Sequence, residues 1–424
     1  MVFDINSPDF YSKEAFEKET QRIYEICNGC RLCYNLCPSF EVLFQRIDEL
    51  DGEVNKLESG DTKKMVELCY DCKLCFPKCP YTPPHQYMLD FPRLMLRGKA
   101  IEAKTNNVKF QDQVLSRTDL LGTVSTKVAP IVNWTLENKP FRFLMEKTIG
   151  IHRDRNLPKY SSTTFVSWYG KHKKPEVRKQ EAPKVVLFHT CSVNYNDTDT
   201  GKAVIQVLEK NGVQIEVPPQ KCCGMPYFDG GGIDNAKKNV EYNLSQLGDY
   251  VRKGYDVVTP GPTCTYMLKQ EYALLSKNPD AKLVASHTFD MMEYLAKLNK
   301  ENKLSKDFKK SQGSITYHLP CHLKAQNIGY KSRDVLELIP DTKVDIVAKC
   351  TGHDGTWSLK KEYFELSLEV GKPAFEKFKE NNGAAAASDC PLAQLQIEKG
   401  SGKKPKHPIQ ILRDAYGLPE NPKS

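Results

Sequence analysis

The chain has 424 residues, enough for two or three domains with large buried cores, and 40% hydrophobic and 27% charged residues mark an ordinary globular protein. The formal net charge of +8 suits an anionic surface or an acidic partner, yet no basic run interleaved with aromatics marks a nucleic-acid footprint. No apolar run of about 18 residues is present, which excludes a membrane-spanning helix, and the acidic N-terminus MVFDINSPDFYSKEAF lacks the apolar stretch of a secretory signal. A cytoplasmic location is expected, where 15 cysteines are a large excess that reads as metal ligation rather than disulfides.

The charged amphipathic stretch YSKEAFEKETQRIYEI leads into CNGCRLCYNLCP at 27–38, and CYDCKLCFPKCP follows at 69–80. Both are C-x2-C-x2-C-x3-C-P, the run that holds [4Fe–4S] clusters, in which the fourth cysteine ligates the other cluster. Three thiolates on a tight turn hold three irons of one cube, while the fourth, followed by Pro, points away. Cys27, Cys30, Cys33 and Cys79 are therefore assigned to one cluster, and Cys69, Cys72, Cys75 and Cys37 to the other. Structural zinc usually takes two separated pairs, which fits two identical quartets poorly. The interval between the runs, with EVLFQRIDELDG and TKKMVELC, reads as helix. Residues 1–100 are expected to form an α-helical ferredoxin domain with two [4Fe–4S] clusters.

Residues 101–183 carry no cysteine and read as a helical connection. Leu121, Val124, Val128, Ile131 and Val132 share one helical face, Trp134 follows, and Phe141, Leu144, Met145 and Ile149 form a second face. Such helices either pack against neighbouring domains or lie on a membrane surface. KHKKPEVRKQEAPK at 171–184 reads as a basic linker.

From Lys184 strands alternate with helices, which implies a parallel α/β sheet. The order PKVVLFHTC, VQIEV, KCCGMP and YDVVTPGPTC recurs as SITYHLPC, VDIVA, KCTGHDG and GAAAASDC, and SHTFDMMEYL finds its echo in KHPIQILRDAYG. The cysteines keep register: Cys191 to Cys222 spans 31 positions against 29 from Cys321 to Cys350, and Cys222 to Cys264 spans 42 against 40 from Cys350 to Cys390. The fold class is thus α plus α/β, with a first cysteine-rich repeat at 184–310 and a second, degenerate one at 311–424. Sites in open parallel sheets form beyond the carboxyl ends of the strands. Cys191, Cys222, Cys223 and Cys264 should converge on one metal site, and Cys321, Cys350 and Cys390 on a second. Gly224 and Gly230, Gly231 and Gly232 would let backbone approach a bulky cluster, or cradle a phosphate, although no dinucleotide or Walker pattern is present.

The Cys-Cys-Gly repeat resembles the cysteine-rich domain of the heterodisulfide reductase B subunit, glycolate oxidase iron–sulfur subunits and lactate-utilisation proteins. The whole order, from the twin runs through LDFPRLMLRGKA and Cys-Cys-Gly to C-T-G-H-D-G-T-W and S-D-C-P-L-A, is most similar to the C-subunit family of anaerobic glycerol-3-phosphate dehydrogenases. The resemblance implies an iron–sulfur subunit that passes electrons from a flavin-bearing dehydrogenase toward membrane quinone, with peripheral contact on the inner face of the membrane. This chain departs from the heterodisulfide reductase pattern at Met267, where that pattern has a second cysteine after Cys264, and at Thr351, where it keeps Cys-Cys. The first site then has four thiolates, enough for an additional cluster. The second has three, which leaves a three-iron cluster, a four-iron cluster with a free iron or one on His353, or a vestigial repeat kept for packing. His318 and His322 flank Cys321 as further candidates. Two rival readings remain at this stage: a thiol–disulfide reductase working at the first site, and a non-catalytic metal-binding scaffold.

Overall fold

The computed structural model describes residues 4–173, 182–381 and 383–420, so positions 174–181 of the expected basic linker lie outside the described residues. Ser12 caps helix α1 (Lys13–Cys30), its hydroxyl accepting from the Ala15 amide at 3.2 Å. Helix α2 (Pro38–Glu49) begins directly after Cys37 with Pro at its first position, where a missing N–H leaves nothing unsatisfied. Helices α3 (Ser59–Leu68) and α4 (Phe91–Asn106) complete this part, the latter capped by the Asp90 carboxylate. The four close over Ile23, Phe40, Leu43, Phe44, Met65 and Leu94. Among the described residues this part contains helix and turn and no strand. The tight turn expected for the first run is half helix, because Cys27 and Cys30 occupy the last turn of α1 before Arg31 ends it at φ 51°.

Among the short helices that follow are α5 (Thr118–Lys127), α6 (Ala129–Glu137) and α7 (Lys139–Thr148). Their apolar stripes do not all face the interior. Leu120 is 57% exposed, Ile131 65%, Trp134 55% and Leu144 56%, with Val124, Val128 and Phe141 also outward. The inner edge of α5 is seated closely, since a Cβ on Gly122 would meet the Tyr195 ring at 2.3 Å.

The first repeat builds a parallel sheet in the order β2–β1–β3–β4 from β1 (Lys184–Leu187), β2 (Gln214–Glu216), β3 (Asp256–Thr259) and β4 (Thr288–Asp290). Its helices include α8 (Cys191–Tyr195), α9 (Thr198–Lys210), α10 (Met225–Asp229), α11 (Ile233–Arg252) and α12 (Pro262–Tyr266). Ala236, Val240, Leu244, Leu247 and Val251 recur at helical spacing and bury one face of α11. The second repeat forms the parallel sheet β6–β5–β7 from β5 (Gly313–His318), β6 (Thr342–Val347) and β7 (Ala385–Ser388). A fourth strand is reduced to a single parallel bridge between Ala387 and Lys406, at the position that corresponds to β4. Its helices include α13 (Cys321–Ala325), α14 (Phe364–Glu380), α15 (Pro391–Ser401) and α16 (Pro408–Ala415).

One apolar core spans both repeats, joining Val185, Leu187, Val204, Leu208 and Val258 to Ile315, Tyr317, Ile409 and Leu412. The buried Arg413 guanidinium on α16 pairs with Asp199 of the first repeat at 2.6 Å. A second core runs from Leu96 and Ala100 of α4 into Phe188, Phe228 and Val240, which fixes the N-terminal part against the first repeat.

Candidate metal centres

Four cysteine groups emerge from these elements. Cys27 faces Cys30, Cys33 and Cys79, and the cavity between them is closed by Phe40, Phe44 and Phe91. Cys75 faces Cys72, Cys69 and Cys37. The fourth cysteine of each run thus lies with the first three of the other. Burial pushes these thiols up, Cys33 and Cys69 to about 11 and Cys37 to about 12, with neighbouring sulfurs adding to the shift in Cys37. Four crowded sulfurs can ionise together only against a compensating cation, so the donor set suits a cationic iron–sulfur core. The second run turns sharply, with Asp71 at φ 56° and Lys73 at φ 63°. Their side chains form an almost fully buried ion pair at 2.6 Å.

In the first repeat, Cys191 opens α8 just beyond β1, Cys222 and Cys223 follow β2, and Cys264 sits in the first turn of α12 beyond β3. Cys191 and Cys223 each hydrogen-bond to the Cys222 sulfur, and Cys223 also reaches Cys264. Donation from Cys191 and Cys223 holds Cys222 well below the ordinary thiol range and drives its two donors up. The loop is rigid: Asn243 Oδ1 accepts from the Lys221 amide at 2.9 Å, and its Nδ2 donates to the Cys222 carbonyl at 3.3 Å. Gly224 takes φ 98° and turns its N–H onto Cys222. Gly231 does not face the thiols. It takes φ 80° and packs on α4, where a Cβ would meet the Lys99 carbonyl oxygen at 2.4 Å. The expected role of the 230–232 glycines at a cluster is thereby corrected: at Gly231 the lack of a side chain lets two domains touch.

The middle segment supplies what the sequence did not show. Asp119 at the start of α5 accepts from the Cys222 amide at 2.7 Å, and the buried Thr118 hydroxyl faces the Cys222 sulfur. Burial, with the Cys222 charge behind it, raises Asp119 to about 6.

In the second repeat, Cys321 begins α13, Cys350 follows β6 and Cys390 follows β7. Cys321 faces Cys390 and Cys350, and also Cys72 of the second run. The Tyr70 hydroxyl lies 3.7 Å from the Cys350 sulfur. Burial pushes Cys390 up to about 12. Of the three histidines raised by the sequence, two are engaged elsewhere. His318 hydrogen-bonds Ser388 at 3.0 Å and the Lys349 backbone. His322 bridges Thr263 of the first repeat at 2.9 Å and the Asp71 carbonyl of the N-terminal part at 3.2 Å. His353 keeps Nδ1 on Ser358 at 2.6 Å, with Nε2 buried and unpartnered. Asp354, absent from the expected ligands, places Oδ2 3.3 Å from the Cys321 sulfur.

The second run is therefore roofed by both repeats. Trp357 Nε1 donates to the Glu67 carbonyl at 3.0 Å, and the Trp357 ring lies 4.9 Å from that of Tyr70. Arg93 reaches the buried Glu271 carboxylate at 3.6 Å. These contacts place the second quartet beside the second-repeat cysteines.

Known proteins repeat this layout. A model of the "Citrate utilization protein B Fer4-like domain" matches residues 20–104, and a "Cysteine-rich domain" model matches twice, at 185–269 and 315–398. The C subunit of the anaerobic glycerol-3-phosphate dehydrogenase of Escherichia coli K12 is 33% identical over 73% of this chain and 78% of its own length. The chain belongs to the C-subunit family of anaerobic glycerol-3-phosphate dehydrogenase. More distant relatives of this C-subunit family member are the B subunit of fumarate reductase (CoM/CoB) from Methanothermobacter marburgensis and lactate utilization protein A of a Geobacillus species. The first is 28% identical over 61% of this chain and 51% of its own length; the second is 30% identical over 55% and 98%. As a C-subunit family member the chain carries the Fer4-like part and both cysteine-rich repeats in the order read from its sequence. No helix among the described residues is long and apolar enough to cross a membrane.

Proposed function

We propose that this chain is the iron–sulfur electron-transfer subunit of an oxidoreductase, taking electrons from a flavoprotein dehydrogenase and delivering them toward a membrane quinone. Iron–sulfur clusters, when bound, carry one electron at a time at potentials set by hydrogen bonds and burial. Cys27, Cys30, Cys33 and Cys79 would hold one [4Fe–4S] cluster, Cys37, Cys69, Cys72 and Cys75 another, and Cys191, Cys222, Cys223 and Cys264 a further one. The observation that carries the reading is the contact between Tyr70 and Cys350, with Cys72 facing Cys321. It makes the thiol groups of the N-terminal part and the second repeat immediate neighbours instead of isolated sites. The first repeat joins through His322 and α12. The protein's own residues keep water out with Phe40, Phe44, Phe91 and Trp357, and supply donors to sulfur from Tyr70 and the Gly224 amide.

The far end of the chain of sites supports a peripheral membrane contact. Asp119 touches the first-repeat site from the same helix that turns Leu120 and Val124 outward. Lys127, Lys139 and Lys147 flank that apolar face, which suits an anionic bilayer and an apolar acceptor. Met267, buried where the disulfide-reductase pattern has a thiol, weighs against the thiol–disulfide reading.

The test is anaerobic purification with iron and sulfide analysis and low-temperature EPR of the dithionite-reduced protein. About eight irons would fill only the N-terminal quartets, and about twelve would add the first repeat. Cys37→Ser should erase the cluster of the second run and spare that of the first, because the fourth ligands are exchanged. Zinc in place of iron and sulfide would refute the proposal in favour of a scaffold.

A further inference from the structure

The second repeat replaces the second cysteine of Cys222-Cys223-Gly224 with Thr351, in Cys350-Thr351-Gly352. Both loops turn through a glycine of positive φ, Gly224 at 98° and Gly352 at 71°. The lost thiol leaves Cys321, Cys350 and Cys390 one donor short of a quartet. Asp354, two residues beyond the glycine, is 6% exposed and places its carboxylate against Cys321 at 3.3 Å. Cys350 and Cys390 face the same carboxylate, as does Cys72. One donor atom each from Cys321, His322 and Asp354 lies within 4.8 Å of the others, but both His322 nitrogens are committed to Thr263 and Asp71. His353 lines the same cavity, with Nδ1 committed to Ser358 and the Arg155 guanidinium as its charged neighbour.

We infer that Asp354, and not His353, completes the second-repeat site, making it a three-cysteine, one-aspartate centre for a fourth iron–sulfur cluster. The inference rests on the iron–sulfur reading of the chain. A carboxylate is a harder and weaker partner for cluster iron than a thiolate, so it defines one iron that exchanges while three stay fixed. Removal of one electron by a mild chemical oxidant such as ferricyanide then converts [4Fe–4S]2+ to [3Fe–4S]+ with release of Fe2+, and charge and iron both balance. The second repeat is in this view a redox site with one differentiated iron, placed directly after the cluster of the second run.

The experiment compares full-length wild type with Asp354→Cys, Asp354→Ala and His353→Ala, all purified anaerobically with whatever flavoprotein accompanies them. Cys350→Ser marks which signals come from the second repeat. The readouts are iron per chain and the EPR signal of a three-iron cluster after ferricyanide. Wild type should give that signal, and Cys350→Ser should abolish it. Asp354→Cys should keep the fourth iron and suppress the signal. Asp354→Ala should carry about one iron fewer per chain before oxidant is added, and should give the signal on ferricyanide treatment without further release of iron. His353→Ala should match wild type. The inference is overturned if both Asp354 variants match wild type, if His353→Ala is the variant that loses iron, or if Cys350→Ser leaves iron and spectra unchanged. Reducible signals of the two N-terminal quartets separate this failure from the wider one: present, they confine it to Asp354; absent from wild type, they remove the electron-transfer reading itself.

Discussion

Gly352 is the position where one methyl group should do the most damage to the second-repeat site. Its φ of 71° disfavours any side chain, at a cost of about 1 kcal/mol. An added Cβ would also fall 1.8 Å from the Ser367 carbonyl oxygen and 3.1 Å from the Gly371 amide nitrogen, both backbone atoms of α14 that cannot swing aside. Overpacking of that kind adds about 1–3 kcal/mol, so Gly352→Ala should destabilise the protein by about 2–4 kcal/mol. Gly329→Ala isolates the conformational part: φ is 81° and nothing lies within 4 Å of the new atom, so only about 1 kcal/mol is expected. The assay is denaturant unfolding of both variants under argon, with iron per chain measured on the same samples. Because the loop carries Cys350 and Asp354, Gly352→Ala should also lose second-repeat iron while Gly329→Ala keeps it. Equal midpoints and equal iron contents for the two variants would refute the reasoning.

Lys73→Met leaves Asp71 buried without its cation and should cost about 3–5 kcal/mol, most of it recovered by adding Asp71→Asn; equal unfolding midpoints for single and double variants would contradict this. Tyr70→Phe removes the hydroxyl beside Cys350 and should lower the second-repeat potential with less than about 1.5 kcal/mol lost in stability, read by EPR-monitored titration. Burial depresses His318 to about 4 and His407 to about 3, so the native state refuses protons that the unfolded chain accepts below pH 6.5. Stability should therefore fall as pH drops from 6.5 toward 4, by up to about 1.4 kcal/mol per pH unit for each histidine, and His407→Gln should flatten the slope.

The spacing of the cysteines carried most of this architecture. Two identical runs can be read without a structure because cluster chemistry demands that interval, and the duplicated strand–loop–cysteine order announces its sheets. Asp119 was invisible for a simple reason: it acts on Cys222 from about 100 residues away, on a helix whose local pattern says only that it is amphipathic. His353 stands out in the sequence because histidine is a familiar ligand, whereas nothing in the local sequence marks Asp354, whose carboxylate the fold brings to the Cys321 sulfur. The apolar stripes of α5–α7 had two readings from periodicity alone, and exposure at Ile131 and Trp134 could not be read from one chain. Gly231 shows the opposite error, a real constraint assigned to the wrong neighbour.

The roof over the second run bears on how the protein is made. Cys69 and Cys75 are enclosed beneath Trp357, His322 and the Asp71–Lys73 pair, in contacts drawn from segments nearly 300 residues apart in the chain. A carrier delivering preassembled inorganic cargo has less access to these buried sulfurs once those segments have met. Maturation should accordingly proceed from the amino end, with loading during or soon after synthesis and closure afterwards, so that the late-folding carboxyl end seals in what the early one has received.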